Sequence, residues 1–390
     1  MLTMKQKCAL SRAVRARYQR STKKEKGRIL DEFIQTTGYN RSYARRILAG
    51  VKKRGRKRER KPRQRFYDAS VFYPLRTLWI AADGICGSRL APFIPELLKV
   101  LQKHKELRVK KDVRKKLLSL SSATIDRMLT ATKKQYALKG RATTKPGTLL
   151  RSTIAVRTFD DWNDKRPGFF ETDLVAFCGE SVRGEYVNGL NLTDVATGWV
   201  GLEAVMGKGQ YRVHQAIDRV GQRLMFPLLG LDPDNGTEFI NHELKRYCET
   251  HRIMFTRIRP YKKNDNCYVE QKNYTVLRRF LGYARYDTEE QLHLVKEILC
   301  LVEPYVNFFQ PSVKLKEKIR VGSRMKKAYD TAKTPYQRLI ASGILNDEQK
   351  QSLQTVYESL NPVDMKRKIN KLTGKLNKTF RYKICDSTNT

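Results

Sequence analysis

Residues 168–178 read GFFETDLVAFC and decide the fold, because this apolar run has the length of a buried strand. Two further strand-like runs follow it, YVNGLNLTDVAT over 186–197 and GWVGLEAVMG over 198–207. The close spacing of the three runs predicts an antiparallel meander at the start of a sheet.

Helical and strand-like patterns then alternate along the chain. In order, they are a helix over 211–226, a strand over 227–236, a helix over 238–252, a strand over 253–259 and a helix over 266–283. Three strands followed by this alternation predict a mixed five-stranded sheet with flanking helices. The expected fold class is a ribonuclease H-like α/β core over 165–287, preceded by an all-α helix-turn-helix region at the N-terminus.

The charge of the chain indicates a polyanionic partner. Among 390 residues there are 79 Lys and Arg against 39 Asp and Glu, a formal net charge of +40. A positive charge of this size is most often found in proteins that bind nucleic acid, so DNA is the expected partner. No stretch approaches the roughly 20 apolar residues of a membrane-spanning helix, and residues 1–20 lack the apolar core of a signal peptide. We expect a cytoplasmic, nucleoid-associated protein with no membrane partner.

Cysteine and histidine give no sign of a disulfide framework or a zinc site. The seven cysteines are scattered singly, and the five histidines show no spacing typical of zinc ligands. We expect reduced thiols and no zinc.

Residues 1–50 have the pattern of a helix-turn-helix DNA-binding region. Helix-compatible spacing covers 8–20 and 22–36, and Asn40 is placed to cap a third, basic helix. In that third helix Tyr43, Ala44, Ile47 and Leu48 are expected to face inward, and the expected DNA contacts are Arg41, Arg45 and Arg46. The alternative is a small three-helix bundle whose arginines are merely solvated.

Residues 51–66 are predicted to be a basic linker. Ten of the fourteen residues from Lys52 to Arg65 are Lys or Arg, interrupted by Gly55 and Pro62. A run of this kind can follow a DNA backbone, although it can also act only as a solubilising segment. The expected DNA contacts here are Lys52, Lys53, Arg54, Arg56, Lys57 and Arg58.

Three further segments flank the predicted core. Residues 67–138 are expected to form a second helical DNA-binding unit that includes a helix capped by Ser121 or Ser122, although simple packing explains its pattern equally well. Residues 139–164 are expected to be a linker. Residues 288–390 are expected to be helical and basic, with the fold and role of 310–390 left open.

Three carboxylates are candidates for catalysis. Asp173 interrupts an apolar strand, where a buried charge needs a compensating partner such as a divalent cation, unless the strand lies at an edge. Asp234 ends the next predicted strand before Asn235-Gly236, which alone could be an ordinary turn, and Asp232 is a rival ligand. Glu270 opens a helix after 35 intervening residues, and a lone Glu there is usually solvated. Only the three carboxylates together indicate a catalytic site.

Four sequence motifs resemble, in this order, the catalytic core of retroviral-integrase-like DDE transposases of bacterial insertion sequences: ETDLVAFCG, LTDVATGW, PDNGTEF and NDNCYVEQKN. The resemblance is strong over about residues 165–285. It implies strand cleavage at element ends followed by strand transfer into target DNA, with Asp173, Asp234 and Glu270 as the metal ligands. It also implies a homo-oligomer, a dimer or tetramer, that holds two DNA ends.

Oxygen ligands of this kind suit two Mg²⁺ ions, for which Mn²⁺ can substitute. Asn235, Lys272 and Asn273 are candidate supports for the ligands or for the DNA end, so Lys272 and Asn273 join the expected DNA contacts. One rival is a nuclease of the same fold, for which Asp194 or Glu238 would be a fourth carboxylate. Another is a catalytically inactive DNA-binding regulator, which predicts the loss of at least one carboxylate.

Overall fold

The computed structural model describes residues 2–50, 66–135, 155–156, 166–233, 236, 238–257, 267–321 and 324–386. Asp234 and Asn235, all six expected DNA contacts of the basic linker and most of the linker predicted over 139–164 therefore lie outside the described residues. The chain divides into two compact units, Met1–Phe66 and Tyr67–Thr390.

The described part of the first unit contains three helices, α1 (Met4–Arg20), α2 (Lys23–Thr37) and α3 (Arg41–Leu48). Helix α2 ends at Gly38, whose positive φ of 69° is a backbone conformation that glycine adopts without strain. The Asn40 side chain accepts a hydrogen bond from the Ser42 amide, as its predicted cap position requires. The core of this unit consists of Tyr18, Ile29, Leu30, Phe33, Ala44 and Leu48.

The prediction for Tyr43 was wrong, because its side chain is 41% exposed instead of facing inward. Ala44 and Leu48, four residues apart on α3, form the buried stripe, and Tyr43 lies beside that stripe. Its ring instead packs edge-on against Tyr39 and beneath the guanidinium of Arg46.

The second unit is built on a mixed sheet. Its strands are β1 (Ala155–Val156), β2 (Phe169–Ala176), β3 (Val187–Asp194), β4 (Val200–Met206), β5 (Gly230–Pro233) and β6 (Met254–Arg257). Their order is β1-β6-β5-β2-β3-β4, with β2, β3 and β4 antiparallel and β5 and β6 parallel to β2. The predicted five-stranded ribonuclease H-like sheet is confirmed. The two-residue β1, which pairs with β6, was not predicted.

The helices of the second unit precede, follow and connect these strands. They are α4 (Ala69–Ala81), α5 (Gly87–Lys103), α6 (Lys111–Leu118), α7 (Ser122–Met128), α8 (Thr130–Gln135), α9 (Gln210–Arg223), α10 (His242–Thr250), α11 (Cys267–Lys272), α12 (Arg279–Leu281), α13 (Glu289–Phe309), α14 (Pro335–Ala341), α15 (Asp347–Ser359) and α16 (Pro362–Asp386). A π-helical segment, Asn273–Arg278, joins α11 to α12. A hairpin of β7 (Leu315–Val321) and β8 (Arg324–Tyr329) precedes α14. The described part of the region left open over 310–390 is therefore a hairpin followed by three helices.

Glycines let helices approach the two faces of the sheet closely. A Cβ at Gly201 would lie 2.3 Å from Val220 of α9 on one face. On the other face, a Cβ at Gly189 would lie 3.3 Å from Leu277 of the π-helical segment. Side chains of α13 cover the open edge of β4, where Asn307 exchanges two hydrogen bonds of 2.8 Å with the backbone of Val200.

The helices predicted to form a separate unit over 67–138 share a hydrophobic core with the sheet and the C-terminal helices. The buried hydroxyl of Tyr305 in α13, for example, donates a 2.7 Å hydrogen bond to the carbonyl of Ala81. Ser121 caps α7 as predicted. The domain boundaries and the DNA-binding role of this helical segment stay predictions. Within the described part of the chain, no helix is both long and apolar enough to cross a membrane.

Candidate active site

The central strand β2 places two carboxylates on one face of the sheet. Glu171 and Asp173 are two residues apart, so strand alternation directs both side chains to the same face. Glu171 is fully buried and Asp173 is half-buried. In register, Asp173 pairs with Asn191 of β3, and Glu171 pairs with the buried Asp232 of β5. Strand β5 ends at Pro233, and the next residue in the sequence is Asp234.

Glu171 fixes the start of the helix that carries Glu270. One oxygen of its carboxyl, Oε2, accepts hydrogen bonds of 2.8 Å from the backbone amides of both Tyr268 and Val269. These amides belong to the first turn of α11, where backbone N–H groups have no partner inside the helix. Glu270 follows directly and is exposed. The first turn of α11 is thereby held against the central strand.

A second connection joins this helix to Asp173. The side-chain amide of Asn273 donates a 2.6 Å hydrogen bond to Oδ2 of Asp173, and Asn191 donates a 2.9 Å hydrogen bond to the Asn273 oxygen. Thr193 in turn donates to the Asn191 oxygen at 3.2 Å. This chain of hydrogen bonds orients the Asp173 carboxylate. Asn273 begins the π-helical segment, a local irregularity that is common at functional sites.

The carboxylates interact electrostatically. Burial, with further contributions from the negative charges of Asp232 and Glu270, raises the pKa of Glu171 to about 8, against the opposing effect of its two amide hydrogen bonds. The other oxygen of Glu171, Oε1, is buried without a hydrogen-bond partner. Thr256 of β6 donates a 2.8 Å hydrogen bond to Asp232. Carboxyl groups are therefore concentrated on this face of the sheet.

This concentration of oxygen donors fits a divalent cation of the Mg²⁺ type. The groups gathered here include the carboxyls of Glu171, Asp173 and Asp232. Carboxylates are the ligands that Mg²⁺ and Mn²⁺ prefer, and a cation would relieve their mutual repulsion. Within the ranges that the structure describes, which omit Asp234, no group of three or more His, Cys, Asp or Glu side chains is arranged to hold a metal ion.

The remaining predicted contacts lie elsewhere. On α3, Arg41 forms an ion pair with Asp31, and Arg45 and Arg46 are exposed. Lys272 is half-buried and lines a cavity that is separate from the carboxylates. The role of each in DNA binding stays a prediction.

Glu171 is the residue that sequence reasoning missed. The available signal was its position two residues before Asp173, which places both carboxylates on one strand face. The fourth carboxylates considered instead were Asp194 and Glu238. Asp194 accepts hydrogen bonds from the Gly168 and Thr197 amides and so holds a turn. Glu238 forms an ion pair of 3.8 Å with Lys208.

No family model matches the chain. It is 38% identical over 342 residues to the uncharacterised protein y4rM of Sinorhizobium fredii (strain NBRC 101917 / NGR234), an alignment that spans 86% of this chain and 96% of the relative. The chain therefore belongs to the same family as y4rM.

Among solved structures, the chain is similar to the catalytic core domain of BIV integrase, with a TM-score of 0.31 and 19% identity over 45% of this chain and 95% of that one. It is also similar to the HTLV-2 integrase catalytic core domain in complex with magnesium, with a TM-score of 0.29 and 15% identity over 37% and 88%.

Proposed function

We propose that the chain is a DDE transposase that cleaves DNA at the ends of a mobile element and joins those ends to target DNA. One observation carries this proposal. Asn273, three residues after Glu270, donates a hydrogen bond to Asp173, so the strand and the helix that bear these two carboxylates are joined across 100 residues of sequence. The neighbouring strand β5 ends one residue before Asp234, the third carboxylate.

The chemistry would be a metal-assisted phosphoryl transfer. Asp173, Asp234 and Glu270 would hold two Mg²⁺ ions, which when bound activate a water or a 3′-hydroxyl and stabilise the departing oxygen. Asn273 and Asn191 keep the Asp173 carboxylate in one orientation. Glu171 keeps the first turn of α11, and with it Glu270, close to the sheet. Such preorganisation of ligands is what an in-line displacement requires.

DNA would reach this site through the charge of the chain. The net charge of +40 favours a phosphate backbone, and the helix-turn-helix region with its exposed Arg45 and Arg46 would dock the element ends. Because two ends must be held together, we propose a dimer or tetramer on DNA. We also propose that the protein acts in the cytoplasm, associated with the nucleoid.

A nuclease that cleaves without joining is the second candidate, and Glu171 is the observation that favours it. Its buried carboxyl is two residues from Asp173 on β2, and the charges of Asp232 and Glu270 contribute to raising its pKa. The face therefore holds more carboxyl groups than the three of the triad. A catalytically inactive DNA-binding regulator is less well supported, because Asp173, Asp234 and Glu270 are all present in the chain.

The experiment that separates these candidates uses labelled duplexes carrying the terminal sequences of the element that encodes the chain. The purified protein and its Asp173→Asn and Asp234→Asn variants are incubated with these duplexes and with plasmid target in Mg²⁺, Mn²⁺ or EDTA. Glu243→Gln, which neutralises an exposed carboxylate of α10, is the matched control.

We expect metal-dependent nicking and joining by the wild type and the Glu243→Gln protein, and neither by the two Asp variants. Nicked ends without joined products would show that the protein is a nuclease and not a transposase. Activity that survives in Asp234→Asn would remove Asp234 from the site.

A further inference from the structure

A small cationic cavity is lined in part by Lys272, from the helix that carries Glu270. Its volume is about 40 Å³, and its lining includes Asp83 from the turn between α4 and α5, Arg89 of α5, Lys272 of α11, and Gln310 and Ser312 after α13. It therefore lies where the N-terminal helices of the second unit, the helix bearing Glu270 and the segment before the β7–β8 hairpin meet.

The two cations of the cavity lack counterions. In the part of the chain that the structure describes, neither Lys272 nor Arg89 forms an ion pair or a hydrogen bond through its side chain. The one carboxylate in the wall, Asp83, is already engaged, because it pairs with Arg279 and forms a 2.7 Å ion pair with Lys366. The wall therefore carries a net positive charge.

Two more cations lie close to the Ser312 side of the cavity. Arg338 donates a 2.8 Å hydrogen bond to the Ser312 carbonyl and a 2.6 Å hydrogen bond to Asp330, while its buried Nε has no partner. Lys314, two residues after Ser312, is half-buried, and its ammonium donates to the carbonyls of Val195 and Ala196. Burial, with a contribution from the charge of Arg338, lowers its pKa to about 8 against the opposing effect of Asp194 and Asp330. The fold thus gathers cations here at an electrostatic cost.

An oxyanion would offset this cost. Burying like charges together is unfavourable unless an opposite charge or hydrogen bonds compensate. Arg and Lys donors, with the amide of Gln310 and the hydroxyl of Ser312, are the groups that bind phosphate oxygens. One water needs roughly 10–15 Å³, so a cavity of about 40 Å³ has room for the oxygens of one phosphate group and none for a base.

We propose that this cavity binds one phosphate group of the DNA backbone through Arg89 and Lys272. The identity of the phosphate as part of DNA rests on the proposed function, whereas the affinity for phosphate does not. Lys272 is two residues after Glu270 on α11. A phosphate held by Lys272 would therefore fix the DNA strand relative to the helix that supplies Glu270.

The first measurement tests for a phosphate site without DNA and without catalysis. The melting temperature Tm of the full chain is followed as inorganic phosphate replaces chloride at constant ionic strength. The same titration is run on Arg89→Gln and Lys272→Met, and on Lys99→Gln, which removes an exposed cation from the same helix as Arg89. We expect phosphate to raise the Tm of the wild type and of Lys99→Gln, and to leave the Tm of the two cavity variants unchanged.

The same variants distinguish a binding role from a structural one. Because each cavity substitution removes a charge from a group of like charges, both variants should be at least as stable as the wild type in chloride. A loss of Tm in chloride together with a normal phosphate response would overturn the proposal, since the cations would then support the fold. Absence of a phosphate-dependent rise in the wild type would overturn it as well.

The second measurement assigns the phosphate to DNA. Binding of a labelled duplex is followed by fluorescence anisotropy in EDTA over a range of salt concentrations. Loss of one phosphate contact should reduce the slope of log Kd against log salt by about 0.9 in each cavity variant, and not in Lys99→Gln.

An unchanged slope with a lost phosphate response would refute the assignment to DNA, and the cavity would then be a site for free phosphate. Neither measurement requires strand cleavage. A failure of the proposed transposase activity therefore remains distinguishable from a failure of this site.

Discussion

The contact between Glu171 and α11 can be tested with two substitutions that both remove the carboxyl group. In Glu171→Gln the amide oxygen can still accept hydrogen bonds from the Tyr268 and Val269 amides, which now lie 2.8 Å from Oε2. In Glu171→Ala no acceptor remains. Because neither variant titrates at this position, the difference between them reports the two hydrogen bonds together with the buried volume that alanine removes.

The size of the difference follows from the cost of unpaired buried amides. A buried donor left without an acceptor costs roughly 1–3 kcal/mol, and two amides lose their acceptor in Glu171→Ala. We therefore expect the free energy of unfolding of Glu171→Ala to lie about 2–6 kcal/mol below that of Glu171→Gln.

Urea unfolding in EDTA, followed by tryptophan fluorescence, is a suitable assay. The three tryptophans, Trp79, Trp162 and Trp199, all belong to the second unit, so the signal does not report on the first unit. If the two variants unfold with free energies within about 0.5 kcal/mol of each other, a difference expected between neutral surface substitutions, Glu171 does not hold the start of α11.

Three further predictions concern the same carboxylates. The pKa of Glu171 is raised to about 8 in the fold, so between about pH 4.5 and pH 8 the folded state retains a proton that the unfolded state loses. The stabilisation from this proton therefore decreases as the pH rises and is lost above about pH 8. Urea unfolding in EDTA at pH 5.5 and pH 8 should therefore show Glu171→Gln gaining on the wild type at the higher pH, and a constant difference would contradict the raised pKa. Asn273→Ala removes the hydrogen bonds to Asp173 and Asn191 and should lower the unfolding free energy by about 2–4 kcal/mol in urea, whereas a loss below about 0.5 kcal/mol would show that the chain of hydrogen bonds is unimportant. Mg²⁺ should raise the Tm of the wild type above its value in EDTA and should not raise that of Asp234→Asn, and equal shifts in both proteins would place the cation elsewhere.

Local patterns in the sequence were sufficient for the five predicted strands and the helices between them, although not for β1 or the β7–β8 hairpin. The apolar run that contains Asp173 predicted β2, and the alternation that follows it predicted the order of strands and helices, because strand and helix periodicities depend on neighbouring residues alone. Helix caps were predicted for the same reason. Asn40 and Ser121 accept hydrogen bonds from amides two and three residues further on, which is a contact that needs no tertiary partner.

The exposure of Tyr43 could not be predicted from the periodicity of the sequence. On α3 the spacing of apolar residues is compatible with an inward Tyr43, but the width of the buried stripe depends on how closely α1 and α2 approach. Of the four residues of α3 predicted to face inward, only Ala44 and Leu48 are fully buried.

The candidate site divides in the same way. The sequence by itself determined that Asp173 is an unusual carboxylate in a strand and that Asp234 and Glu270 follow it in the order and spacing of the resemblance. Only the tertiary structure decided that Glu171 is buried against the first turn of α11 and that Asn273 reaches Asp173. These contacts join residues about 100 positions apart, and no local pattern encodes which distant group will meet a side chain.

The cationic cavity depends on tertiary structure even more completely. Arg89, Lys272 and Ser312 come from three segments, 183 and 40 positions apart in the sequence, and no local pattern places them together. Burial and mutual proximity arise only when the segments pack together. The sequence determined that this protein is strongly basic, and the packing decided where that charge is held without a counterion.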